Sequence, residues 1–183
     1  LPDVELRIVH ETSGEVLPTA TAGLVEVRGP NVFAGYWRNP EKTRAAFTTD
    51  GWFRTGDLGT IDARGYLRLI GRASDLIITG GLNVYPAEVE AAIDAAPGVI
   101  ESAVIGLPHG DLGEAVTAVV VRSDESLTEA AVLAALAERL ARFKQPKRVL
   151  FAPNLPRNAM GKVVKAALRE THAGLYGPAA AGP

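Results

Sequence analysis

The sequence predicts an α+β fold in two parts: the end of a β-rich subdomain, then a small α+β domain joined to it by a hinge. Three observations predict it. Over residues 1–73 apolar and polar side chains alternate, as with Val25 and Val27 against Glu26 and Arg28, which is the pattern of strands buried on one face. From about residue 75 short apolar runs are interleaved with stretches whose apolar residues recur every three or four positions, so strands are mixed with amphipathic helices. A chain of 183 residues, 47% of them hydrophobic, has enough apolar material for one or two compact domains.

The elements follow in order. Val4, Leu6 and Ile8 alternate with Glu5 and Arg7 and open the chain as a strand. With no initiator Met before it, the chain is expected to be a piece of a longer protein. A second strand runs through Val25 and Val27 to the turn Gly29-Pro30-Asn31. Asn39-Pro40 starts a short helix over 41–47. Strands over 58–62 and 66–70 flank Ala63-Arg64-Gly65, a hairpin turn with Gly65 where positive φ is needed. Residues 75–79 form a short strand ending at Gly80-Gly81. Pro86 opens a helix at a first-turn position, with Glu88 and Glu90 near its positive end. Its apolar face is Val89, Ala92, Ile93 and Ala96, and Pro97-Gly98 stops it. Residues 99–105 and 115–121 read as buried strands. Ser126 with Glu129 matches a capping box before a helix carrying Val132, Leu133, Leu136 and Leu140 on one face. Residues 147–152 return as a strand. The expected divisions are therefore 1–73, 74–172 and a disordered tail over 173–183, where only Gly, Pro and Ala follow Tyr176.

Composition excludes several function classes. The 19 Lys and Arg nearly cancel the 21 Asp and Glu, so no basic surface argues for nucleic acid or an anionic membrane. The absence of cysteine removes disulfides, thiol catalysis and Cys-ligated zinc. No apolar run approaches the ~20 residues that span a bilayer, and Leu1-Pro2-Asp3 does not open a signal peptide; a cytoplasmic location is expected. His10, His109 and His172 are too far apart in sequence to give a metal-binding spacing. His109, in Pro108-His109-Gly110-Asp111, reads as a loop residue.

Three segments carry possible chemistry. In Trp52-Phe53-Arg54-Thr55-Gly56-Asp57-Leu58, a carboxylate just after a strand-ending Thr-Gly can accept two hydrogen bonds from a vicinal diol. An Asp satisfying local amides in a β-turn fits the same residues. In Gly71-Arg72-Ala73-Ser74-Asp75 and on to Gly80-Gly81, the planar fork of Arg72 suits ribose or phosphate oxygens, and two glycines let backbone approach a narrow ligand; an ordinary Gly-Gly turn fits as well. In Pro156-Arg157-Asn158-Ala159-Met160-Gly161-Lys162-Val163, a lysine placed by glycine on a loop suits a phosphate, or is a solvated surface lysine. This last segment is not a Walker A loop, because Pro156 and Val163 stand where Gly and Ser or Thr are needed.

Taken together, and with Phe33-Ala34-Gly35-Tyr36-Trp37-Arg38-Asn39-Pro40 ahead of them, these ordered segments resemble the later motifs of the adenylate-forming superfamily of acyl-CoA synthetases, peptide-synthetase adenylation domains and luciferases. The likeness runs from about Pro2 to Arg169. Gly29-Pro30-Asn31-Val32-Phe33, Asn83-Val84-Tyr85-Pro86 and the Lys162 segment look most like malonyl-CoA synthetases. The resemblance implies that the β-rich part is the end of a distorted barrel in a large N-terminal domain. It implies ATP and CoA as co-substrates, a small carboxylic acid as the acyl donor, an acyl-adenylate intermediate, and a C-terminal domain that swings between the two half-reactions.

By position, the resemblance makes Lys162 the adenylation lysine, Asp57 and Arg72 the ribose contacts, and Gly80 and Gly81 the lining of a pantetheine tunnel. Phe143, Lys144 and Lys147 fall in a stretch that in relatives helps hold the CoA nucleotide, although lysines near a helix C-terminus also serve as dipole partners. The hinge falls on Ser74, where the family usually has Asp or Lys; Asp75 is next to it. The phosphate loop ending in Pro-Lys-Gly and the Tyr-Gly-x-Thr-Glu motif, which in the family lie upstream with the Mg2+ site, are not in this sequence. The isolated chain is therefore expected to be inactive, with the N-terminal domain as its partner. Two alternatives stand beside this: an adenylation domain that loads a carrier protein, and a non-catalytic swivelling module.

Overall fold

The computed structural model describes residues 3–177. They divide into two compact units, unit 1 ending at Ser74 and unit 2 beginning at Asp75.

Unit 1 is an antiparallel meander of β1 (Glu5–Val9), β2 (Gly23–Arg28), β3 (Phe53–Ile61) and β4 (Leu67–Arg72), with helix α1 (Pro40–Ala46) between β2 and β3. Ile8, Val25 and Leu58 are inside, but so are their neighbours Val9 and Glu26 while Leu6 is exposed, so β1 and β2 do not keep the single buried face that their alternation predicts. Asn39 caps α1 by accepting from Lys42 N at 2.9 Å. Gly65 takes φ +83° in the β3–β4 turn, where Asp62 Oδ1 accepts from the amides of Arg64 and Tyr66. Arg7 ties the sheet face together. Its guanidinium donates to the buried Glu26 at 2.7 Å and to Asp50 at 2.9 Å, and lies 4.3 Å from the Trp52 ring. The Arg28 guanidinium also lies over that ring, at 4.5 Å.

Unit 2 begins with a 3-10 turn, Ala73–Asp75 straddling the division, and continues through β5 (Ile77–Thr79), β6 (Leu82–Val84), α2 (Pro86–Asp94), β7 (Val99–His109), β8 (Gly113–Arg122), α3 (Glu129–Ala137), β9 (Arg148–Phe151) and α4 (Lys165–His172). The sheet order is β6-β5-β8-β7, and β9 pairs parallel to β8 along Thr117–Val120. The long β7–β8 hairpin is buried on both faces, so its alternating residues feed two cores. Val104, Val116, Ala118 and Val120 face α2 and α3, packing on Val89, Ile93, Val132 and Leu136. Ala103, Ile105, Leu107, Val119 and Val121 face the other way, onto Leu155 and onto Leu168 of α4. Both terminal guanidinium nitrogens of Arg169 on α4, Nη1 and Nη2, donate to Asp75 Oδ1 at 3.2 Å.

Four expectations need correction. The N-cap of α3 is Thr128, whose hydroxyl accepts from Ala131 N at 3.3 Å. Ser126 lies earlier, in a turn where its amide donates to Asp124. Glu129 does not reach back to close a capping box; it accepts from Val149 N and Arg148 on β9. Leu140 is buried, but in the turn after α3 rather than on its face. The tail expected to be disordered from 173 is, over 173–177, a run of turns. Leu175 and Tyr176 pack on the second core there, and the Tyr176 hydroxyl lies 2.9 Å from that of Thr117. The rest of that tail, 178–183, lies outside the described residues. Helix α4 had no counterpart in the sequence reading.

Candidate functional site

The candidate residues fall into three groups, one in unit 1 and two in unit 2.

Asp57 and Arg72 are direct cross-strand partners in the β3–β4 register. A residue pair facing across an antiparallel ladder brings its side chains within reach, and the two form an ion pair at 3.1 Å. Arg72 Nη1 also donates to the carbonyl of Thr55 at 3.1 Å. The Asp57 amide donates to the Thr55 hydroxyl, which in turn donates to the Val25 carbonyl. Gly56 stands between them with φ +74°, a conformation that glycine takes without steric cost. The simple turn-Asp reading does not describe this site: the carboxylate faces a guanidinium, and both groups reach solvent. A fixed carboxylate beside an arginine offers acceptor and donor together to a polar ligand.

Gly80 and Gly81 make the two-residue connection between β5 and β6, with Thr79 opposite Leu82. Both have positive φ, +56° and +78°, the conformation that the favoured tight hairpin turn demands. The Gly80 amide donates to the Leu112 carbonyl at 2.8 Å, which fixes the turn against the β7–β8 loop. Beside it lies a cavity of about 370 Å3 lined by Thr79, Gly80, Leu82, Leu112, Arg142, Phe143 and Lys147. The structure thus gathers Gly80, Phe143 and Lys147. Gly81 does not line the cavity, nor does Lys144, whose ammonium is held by both oxygens of Glu88 at 2.6 and 2.8 Å. Arg142 takes the place expected for Lys144 and was missed, as was Leu112. The signal for Arg142 was its adjacency to Phe143 in a run of basic residues; nothing in the local sequence pointed to Leu112, which arrives from a distant loop.

Lys162 sits on a small hairpin. Arg157 and Val163 form a β-bridge, Asn158 N donates to the Lys162 carbonyl at 2.9 Å, and Gly161, at φ +79°, closes the turn. Asn158 Oδ1 accepts from the amides of Met160 and Lys162 at 3.0 Å each. Arg157 donates to the Gly161 carbonyl at 2.7 Å and to Glu101 of β7. The backbone of Lys162 is therefore fixed, while its side chain is exposed and has no ion-pair or hydrogen-bond partner among the described residues. An ammonium held this way is available to an anionic ligand. The exposure of its side chain fits the solvated-lysine alternative as well.

Ser74 lies in the 3-10 turn at the division between the units, and its neighbour Asp75 is engaged by Arg169. Among the described residues no three His, Asp or Glu side chains converge as a metal site. The residues present do not fit a Mg2+ centre.

Residues 88–162 match the family model of the AMP-binding enzyme C-terminal domain. The long-chain-fatty-acid–CoA ligase FadD13 of Mycobacterium tuberculosis is 48% identical over 150 residues, covering 82% of this chain and 30% of that protein. Indoleacetate–CoA ligase of Aromatoleum aromaticum is 46% identical over 170 residues, covering 92% of this chain and 33% of that protein. The crystal structure of ATP-bound MatB from Rhodopseudomonas palustris is 57% identical with a TM-score of 0.92, covering 96% of this chain and 35% of that one. The chain spans about a third of the length of the relatives it matches.

Proposed function

From the match of residues 88–162 to the AMP-binding enzyme C-terminal domain model, we propose that this chain belongs to that family and is the C-terminal part of an AMP-forming acid–CoA ligase. The observation that carries the proposal is the lysine hairpin: a backbone-fixed loop presenting one unpartnered ammonium. In the first half-reaction a substrate carboxylate attacks the α-phosphate of ATP, pyrophosphate leaves, and an acyl-adenylate forms. Lys162 would sit between carboxylate and α-phosphate and offset the charge that builds there. Asp57 and Arg72 would hold the ribose.

In the second half-reaction the CoA thiolate attacks the acyl carbonyl and AMP leaves. The cavity beside Gly80 supports a role here: Arg142 and Lys147 offer cations to phosphates, Phe143 offers a ring face, and the glycine turn admits a thin thiol arm. Ser74 would absorb the backbone change between the two steps, as small residues at element ends can. Mg2+, the phosphate loop and most of the acyl pocket would come from an N-terminal domain outside this chain, without which this chain would not turn over. Malonate is the proposed acyl substrate, supported by the likeness of the Gly29–Phe33, Asn83–Pro86 and Lys162 segments to malonyl-CoA synthetases.

Two measurements on the full-length parent test this. Lys162→Ala should slow carboxylate-dependent ATP–pyrophosphate exchange by ~10²-fold or more, while thioester formation from supplied acyl-adenylate stays nearly unchanged. Equal loss in both half-reactions would reject the assignment. Exchange driven best by an acid other than malonate would overturn the substrate alone.

A further inference from the structure

We propose that Arg157, anchored by Glu101, is a positioning residue for Lys162. The inference rests on the reading that Lys162 serves adenylation. Its basis is the way the guanidinium spans two parts of the fold. One nitrogen donates to the Gly161 carbonyl, the residue immediately before Lys162, at 2.7 Å, and another to the carboxylate of Glu101 on β7. Glu101 sits at a register shift at the start of the β7–β8 ladder, and the strand beyond it is buried on both faces. Among the described residues the other hydrogen bonds of the tip are internal to the hairpin, through Asn158 and the Arg157–Val163 bridge, while Val163 at its base packs on the second core. Arg157 is thus the side chain that hydrogen-bonds the tip to the sheet.

A pair this exposed contributes little to global stability. Its effect lies in placement. The planar fork holds its donors in a fixed geometry across that span, which the compact, rotatable ammonium of a lysine does not. Freeing the Gly161 carbonyl lets the tip, and with it the Lys162 ammonium, wander from the position set by the sheet. Small misplacement of a reacting group costs rate out of proportion to stability.

The test uses the full-length enzyme and both half-reactions. Arg157→Ala should lower kcat for ATP–pyrophosphate exchange by ~10-fold, with KM for ATP and the carboxylate unchanged, because placement and not binding is lost. Thioester formation from supplied acyl-adenylate and the thermal midpoint should be unmoved. Glu101→Gln should reproduce part of the loss, and Arg157→Lys should fall between wild type and Arg157→Ala. In a Lys162→Ala background, Arg157→Ala should cost nothing further, since a residue acting through Lys162 has nothing left to place. If the Arg157 loss persists in full in that background, or appears equally in both half-reactions, the inference is overturned while the role of Lys162 stands. If Lys162→Ala itself leaves exchange intact, the reading beneath it fails first, and the inference with it. Should Arg157→Ala fold poorly, Arg157→Lys and Glu101→Gln carry the same comparisons.

Discussion

At the scale of single residues, the side chains that matter are defined by what they touch. Lys144 and Lys147 were alike in sequence, but Glu88 claims the first and leaves the second beside the cavity. That difference was not legible, because it depends on a carboxylate 56 positions away. Asp57 and Arg72 were legible as candidates, yet their pairing came only from the β3–β4 register. Asp50 offers a test at this scale. The Thr48 hydroxyl and the Arg7 guanidinium pull its carboxyl from 3.8 down to about 2. A carboxyl depressed on folding stabilises the fold above its unfolded pKa, and that contribution is lost as pH falls through the folded value. The window is therefore about pH 4 to pH 2. Asp50→Asn should make the loss of stability across that window shallower, and high salt should narrow the gap because the pair is exposed. Urea midpoints followed by Trp52 fluorescence in a Trp37→Phe background would show it. Parallel acid profiles for the two proteins would sink the idea.

At the scale of elements, strands were easier to read than helices. The apolar runs of β7 and β8 are strands buried on both faces, as their sequence predicts, whereas the alternation of β2 does not hold, because Glu26 is buried beside Val25. Helix α2 was equally plain: Pro86 at its start and Val89 and Ile93 on one face match its burial. Helix α4 was invisible. It has no side-chain cap, only Leu168 is buried, and its polar residues read as the end of a loop. The start of α3 was misplaced because Ser126 and Thr128 both precede Glu129, and only geometry tells which hydroxyl reaches the first-turn amides. Thr128→Ala should therefore cost ~1 kcal/mol, whereas Ser126→Ala should change stability by less than about 0.5 kcal/mol. Chemical-denaturation midpoints of the two variants decide between the caps; the reverse ranking would restore the capping box.

At the scale of the whole molecule, the change of pattern near residue 75 coincides with the division into two units. The layering of unit 2 was not legible. Nothing local says that β9 returns parallel to β8, or that α4 and the turns to Tyr176 cover the face opposite α2 and α3. Such arrangements rest on contacts distant in sequence. One of them, Arg169 on Asp75, carries a topological consequence. The head of unit 2 meets its last helix, α4, at that contact, so the path of an excised unit 2 from Asp75 to Arg169 is close to a closed ring. A short linker could splice its head to its tail, with new ends opened between Asp124 and Glu125 on an exposed turn. Such a permutant should show the circular-dichroism spectrum of unit 2 in its native order; a random-coil spectrum would mean that residue 75 must be tethered to unit 1 for the ring to close.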